Sequence, residues 1–161
     1  MAIAGKLVHV PRNQADARSK PENPQLAKWG FAGNAGYQLV PNVLFRAQKY
    51  LELDPVDVVI LLNLSLHWWG AANLPFPSPR IIADRMSVSR RTIERRLGTL
   101  ERRGFLKRLP AKAPAEGKPK IRRIELNGLV EKLETAARIG LAQREFAKGR
   151  RQAANMTKFT G

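Results

Sequence analysis

The stretch Ser78 to Gly104, SPRIIADRMSVSRRTIERRLGTLERRG, limits what this chain can fold into more than any other part of it. It holds two helical periodicities with only three residues between them. In PRIIADRM the apolar residues Ile82, Ala83 and Met86 share one face. In RRTIERRLGTLERRG the residues Ile93, Leu97 and Leu100 do the same, at the i, i+4, i+7 spacing of a single helix face. Ser78 and Ser89 stand where side-chain oxygens can cap the first free N–H groups, and Gly104 stands where the second helix should stop. SVS reads as a tight turn between two short, half-buried helices.

The second helix carries a row of cations that its own stability does not explain. Opposite the apolar face lie Arg91, Arg95, Gly98 and Arg102, with Arg90 and Arg96 flanking it nearer the core. From Ser87 to Arg108 there are eight basic residues and two glutamates. Like charges at i, i+4 destabilise a helix by about 0.2–0.5 kcal/mol per pair. Cations in the first turn oppose the helix dipole by about 0.3–1 kcal/mol, and a mid-helix glycine costs about 1 kcal/mol relative to alanine. Three local preferences are broken in one element, which points to residues chosen for a partner. A solvated charged face would interleave glutamates, and Glu94 and Glu101 are too few for that. The planar arginine fork suits guanine edges in a major groove, or phosphate oxygens.

The charge is localised. Of a net +16 over 161 residues, residues 80–123 hold fifteen basic and four acidic side chains, whereas residues 41–79 hold two and three. A dedicated cationic face fits this better than general solubilisation, and a polyanion is the expected partner. The chain has no cysteine, which removes disulfides and thiolate metal sites. Its two histidines, His9 and His67, have no second-ligand motif, and AEGKPK lacks the glycine spacing of a phosphate loop. No catalytic residue, metal or cofactor is expected, and the chain does not read as an enzyme. MAIAGKLVHVPRNQ has no apolar core of a leader. The run Val56 to Trp69 is broken by Asp57 and Asn63 and is too short to span a bilayer, so a cytoplasmic protein with no membrane partner is expected.

Residues 1–40 read as an arm, partly flexible, with proline breaks and then glycines at 30, 33 and 36. A short helix follows Pro41 and runs to about Leu53. LDPVDVVILLNLSLHWW starts with Asp54 as cap and Pro55 in the first turn, and its apolar residues lie all round, as in a central helix. His67 and Trp68 read as packed side chains. FLKRL and KIRRIEL read as two strands joined by PAKAPAEGKP. NGLVEKLETAARIGLAQREFAKGRR reads as a long amphipathic helix with Asn127 as cap, and QAANMTKFTG as a frayed end.

PSPRIIADRMSVSRRTIERRLGTLERRGFLKR resembles the winged helix-turn-helix family, as found in small bacterial or mobile-element regulators and in phage or plasmid replication initiators. The resemblance covers roughly residues 55–126. It implies an α+β, mainly helical fold: an N-terminal arm (1–40), a winged helix-turn-helix domain (41–126) and a long C-terminal helix with its tail (127–161). It further implies a recognition helix at 89–103 and a wing at 105–126. Carried over residue by residue, Ser87, Ser89 and Thr92 would bond phosphates, and Arg90, Arg91, Glu94 and Arg95 would face bases, although Glu94 equally reads as a neutraliser of its arginine neighbours. Arg102 extends that row. On the wing, Lys107, Arg108, Lys112, Lys118, Lys120, Arg122 and Arg123 would supply sequence-independent, salt-dependent attraction. The implied function is sequence-specific binding of double-stranded DNA in transcription regulation. A replication or partition initiator is one alternative, and an RNA-binding ribonucleoprotein component is another.

The last helix bears an apolar stripe of Leu126, Leu129, Val130, Leu133, Ala137 and Leu141. It packs on its own domain, or Leu129, Val130, Leu133, Ala137 and Leu141 form a homodimer interface that would set two recognition helices on a symmetric site.

Overall fold

Three helix starts in this chain are set by side chains that satisfy free backbone N–H groups. Asp54 accepts from Asp57 N at 2.9 Å, Ser78 from Ile81 N at 3.3 Å, and Ser89 from Thr92 N at 3.0 Å. Prolines occupy the first turn after Asp54 and Ser78, where no amide donor is required. The computed structural model describes residues 28–68, 70, 73–110 and 122–159, with side chains described as far as residue 152. His9, Trp69 and most of the wing loop, with Lys112, Lys118 and Lys120, lie outside the described residues.

The chain divides into two units, residues 1–39 and 40–161. The described part of the first holds a 3-10 turn, Gly30–Ala35, with no buried residue, and Lys28 Nζ lies 5.7 Å from the centre of the Trp29 ring. The second unit contains, in order, α1 (Val43–Arg46), α2 (Pro55–Ser65), α3 (Pro79–Met86), α4 (Arg90–Arg102), β1 (Lys107–Arg108), β2 (Ile124–Glu125) and α5 (Asn127–Phe159). The strands pair antiparallel, Lys107 opposite Glu125 and Arg108 opposite Ile124. Ile124 N also donates to Pro75 O at 2.9 Å, so the linker ahead of α3 runs beside β2.

The expected helix after Pro41 ends early. Glu52 adopts a left-handed backbone (φ 49°), and residues 47–53 form turns instead. The turn between α3 and α4 is equally sharp: Ser87 sits at φ 53°, ψ 39°, and Val88 N reaches back to Ala83 O at 3.1 Å. A non-glycine residue in this region costs of order 1–3 kcal/mol. Here the turn brings Ile82 and Ala83 of α3 against Ile93, Leu97 and Leu100 of α4, all of them buried. Full burial of one such aliphatic side chain contributes about 1.5–3 kcal/mol, enough to hold the turn.

α2 supplies Ile60, Leu61 and Leu64 to the same core, which Phe105, Leu106, Ile124, Leu126, Leu129, Leu133 and Ala136 complete. Three expectations for α5 are corrected. Asn127 is its first residue and not a cap outside it. The segment expected to fray continues the helix to Phe159, in keeping with a run from Gln152 that has no proline or glycine. Leu129 and Leu133, expected at a dimer interface, are buried in the chain's own core, because the start of α5 packs directly on it. Val130 and Leu141 are exposed and Ala137 is half-buried.

The end of α4 and the start of α5 meet at two glycines. Gly104 takes the left-handed conformation (φ 71°) that stops α4, and a Cβ on Gly128 would lie 2.0 Å from Gly104 O. Gly128→Ala is expected to lower unfolding stability by about 1–3 kcal/mol, as overpacking does. Urea denaturation at pH 7 checks this, and an unchanged midpoint would mean that α5 docks elsewhere.

Candidate nucleic-acid interface

The cations of α4, with Arg103 just past its end, sort into two groups according to the side of the helix they leave from. Arg96 and Arg103, seven residues apart and thus on one face, turn towards α2 and the turn before it. Arg96 Nη1 bonds Asp54 Oδ2 and lies 3.5 Å from Asp57 Oδ1. Arg103 donates to Glu52 O at 2.8 Å and Leu51 O at 2.7 Å, reaches Glu52 Oε2 at 3.4 Å, and stacks 5.1 Å from the Phe105 ring centre. Asp57 is 3% exposed, so Arg96 compensates a carboxylate that is otherwise out of water. Burial pushes the Asp57 carboxyl above its ordinary range, with the adjacent Asp54 charge adding to the effect. At Asp54 burial also acts upwards, but the Asp57 N–H and Arg96 outweigh it and hold the group below its ordinary range.

Arg108, at the root of the wing, is held just as firmly. Glu101 accepts from Arg108 N at 2.8 Å and Nε at 2.7 Å, with Nη2 at 2.6 Å, while Glu94 lies 3.8 Å from Nη1. Glu101 feels burial upwards, but the bonds from Arg108 prevail and hold it below its ordinary range. This pair ties β1 to α4. Arg108 therefore serves the angle between helix and wing, and Glu94 is shared between it and Arg90, whose Nη2 lies 3.4 Å away.

What remains outward is short and well defined. Arg91 and Arg95 are exposed, and among the described residues neither has an ion-pair partner. Arg102 is exposed and, among the described residues, bonds only Thr99 Oγ1, at 3.0 Å. Between them Gly98 leaves a gap: a Cβ there would stand 3.7 Å from Arg102 Nη1 and 3.9 Å from Arg108 Nη2, ordinary contact in both cases. Ser87 and Ser89 are exposed at the turn, and Ser89 Oγ lies 2.8 Å from Thr92 Oγ1. Lys107, Arg122 and Arg123 are exposed on the wing strands and their approaches.

Reading the sequence alone missed the inward roles of Arg96 and Arg103. The signal was present: both flank the apolar stripe of α4, and the carboxylates and carbonyls they meet cluster at residues 51–57. That Asp54 caps α2 and also receives Arg96 follows only from how the two helices pack.

A helix-turn-helix followed by a two-stranded hairpin, with the outer face of the second helix cationic, defines a winged helix-turn-helix protein of mainly helical α+β class. The chain belongs to the DnaD N-terminal domain family, whose match spans residues 40–143. The N-terminal domain of DnaD protein from Geobacillus kaustophilus HTA426 is 26% identical, covers 78% of this chain and 98% of its own, and superposes with a TM-score of 0.51. An S. aureus MepR mutant bound to an oligodeoxyribonucleotide is 18% identical, with 72% and 83% covered and a TM-score of 0.42. Streptococcus pneumoniae FabT in complex with DNA is 17% identical, with 84% and 94% covered and a TM-score of 0.34. No curated protein matches the chain.

The Glu101–Arg108 pair carries a pH signature of known sign. A carboxyl whose folded pKa is lowered from 4.5 stabilises fully above that value and loses its contribution as pH falls through the folded pKa. Glu101→Gln is thus expected to be less stable than wild type at pH 7, with the gap closing towards pH 3. Denaturation at both pH values tests it; a gap of constant size would remove this pair as the cause.

Proposed function

We propose that this protein binds double-stranded DNA, with α4 in the major groove and the wing cations on the sugar-phosphate backbone. The observation that carries the reading is the division of the arginines on α4, just past its end and at the root of the wing. Arg96, Arg103 and Arg108 are engaged by the protein itself, whereas Arg91 and Arg95 are presented on the outer face, with Arg102 about two turns further on. Guanidinium forks without a carboxylate partner among the described residues, on a helix of groove-entering type, match the bidentate acceptors of guanine. Gly98 lets that face approach a backbone closely, since the packing of α4 does not require a glycine there.

Membership in the DnaD N-terminal domain family favours a role in replication initiation beside the regulatory one. Iterated sites at an origin would mark the former, an operator near a promoter the latter. The reading places the protein in the cytoplasm and gives it no catalytic step; among the described residues no helix is long and apolar enough to cross a membrane. A homodimer on an inverted repeat would use Val130, Ala137 and Leu141, the residues of the α5 stripe that are not fully buried. Duplex RNA is the poorer ligand, because its major groove is too narrow for a helix.

Selection from a random duplex pool at about 150 mM salt, where screening suppresses loose attraction, should enrich a defined sequence. Arg95→Ala should then weaken that site by about 1–3 kcal/mol and relax preference at one base pair. Equal loss on selected and random duplexes would remove Arg95 from base reading. Gly98→Ala should stabilise the fold by up to about 1 kcal/mol yet weaken DNA binding. Unchanged affinity in that variant would place the DNA backbone away from Gly98.

A further inference from the structure

The second half of α5 lies outside the interface formed by α4 and the wing. Among the residues whose burial is described, the last buried one of the helix is Ala136, and every residue from Leu141 to Gln152 is exposed. Residues 138–152 carry Arg138, Arg144, Lys148, Arg150 and Arg151 against a single carboxylate, Glu145. Among the described residues none of these five cations is held in an ion pair. Arg144, Lys148 and Arg151 fall at i, i+4 and i+7 and so form one stripe. The helix dipole does not account for it, because dipole compensation is confined to the last turn and Arg144 lies fifteen residues before Phe159.

We propose that the stripe Arg144–Lys148–Arg151 is a second, sequence-independent contact with the phosphates of duplex DNA, outside the groove entered by α4. The proposal rests on the DNA-binding reading and extends its footprint. Three features carry it. The stripe is rigid: it stands on a continuous helix whose start is pinned by Gly128 against Gly104, at the end of α4. Its place relative to α4 is therefore set by packing and not by a loose tail. It also has reach, since Arg144 lies roughly 24 Å along the helix from Gly128 at 1.5 Å per residue. Finally, its length suits the ligand: Arg144 to Arg151 spans about 10.5 Å, the axial rise of about three base pairs at 3.4 Å each.

An anionic membrane surface is the competing polyanion, and the helix suits it less well. The face opposite the stripe presents Ile139, Ala142, Phe146 and Gly149, only two of them bulky, and Leu141 lies on the basic side. An interfacial helix needs a broad apolar face to bury.

The test is the full chain carrying Arg144→Gln, Lys148→Gln and Arg151→Gln together, exposed positions at which glutamine keeps the helix, as circular dichroism should verify. Binding to one fixed 40-base-pair duplex is measured from about 50 to 200 mM salt, the range over which phosphate contacts show. Loss of three phosphate contacts is expected to flatten the slope of log K against log salt by about 2.7. An unchanged slope overturns the proposal. Arg91→Gln with Arg95→Gln serves as comparator. If it weakens binding while the triple variant does not, the DNA reading stands and this inference falls. If the wild type binds no duplex at all, both fall. If the triple variant loses phosphatidylserine vesicles and keeps its DNA slope, the stripe serves a membrane and the proposal is overturned.

Discussion

The contact from Arg96 to Asp54 and Asp57 is the constraint on which the rest of this structure turns. It joins the start of α2 to the middle of α4 across the core, and it does so with charges that would be costly alone. Asp57 is almost fully buried, and an unpaired carboxylate there would face a desolvation penalty of several kcal/mol. The partner that relieves it comes from a helix that carries five arginines against two glutamates. One element's electrostatic burden thus relieves the other's. The pair also fixes the rotation of α4 about its axis: with Arg96 turned inward, Arg91 and Arg95 must face out.

The arginine density of α4 is for this reason less unfavourable than its sequence implies. Like-charge pairs cost a few tenths of a kcal/mol each on an isolated helix. In the folded chain Arg96, Arg103 and Arg108 have acceptors of their own, and burial of Ile93, Leu97 and Leu100 outweighs what remains. The same acceptors shape the interface. Glu101 anchors the wing through Arg108, Glu94 tempers Arg90, and the cations left without carboxylates are those that can meet another molecule. Both glutamates of the recognition segment are therefore part of its geometry, and neither needs to touch a base.

How much of this was legible beforehand differs from element to element. Ser78, Ser89 and Gly104 marked helix ends that the structure places at the same residues, because capping is local chemistry between neighbours in the chain. The strands were legible in type but came out at two residues each, because the pairing of Lys107 and Arg108 with Glu125 and Ile124 is set by the hairpin. The early stop of α1 was not legible: nothing local announces a left-handed Glu52, whose carbonyl is held by Arg103 from fifty-one residues away. Leu129 and Leu133 were ambiguous for the same kind of reason, since an apolar stripe states that it will be covered and not by what.

The sequence by itself determined the helix-turn-helix, the cationic outer row of α4 and the concentration of charge in residues 80–123, because period, caps and charge count are properties of near neighbours. Only the tertiary structure decided which arginines the protein itself engages and which it leaves exposed. Arg95 and Arg96 are adjacent and chemically identical. One lies on the solvent side of α4 and the other 3.5 Å from a buried aspartate on a different helix, so packing between elements distant in the chain assigned them opposite roles.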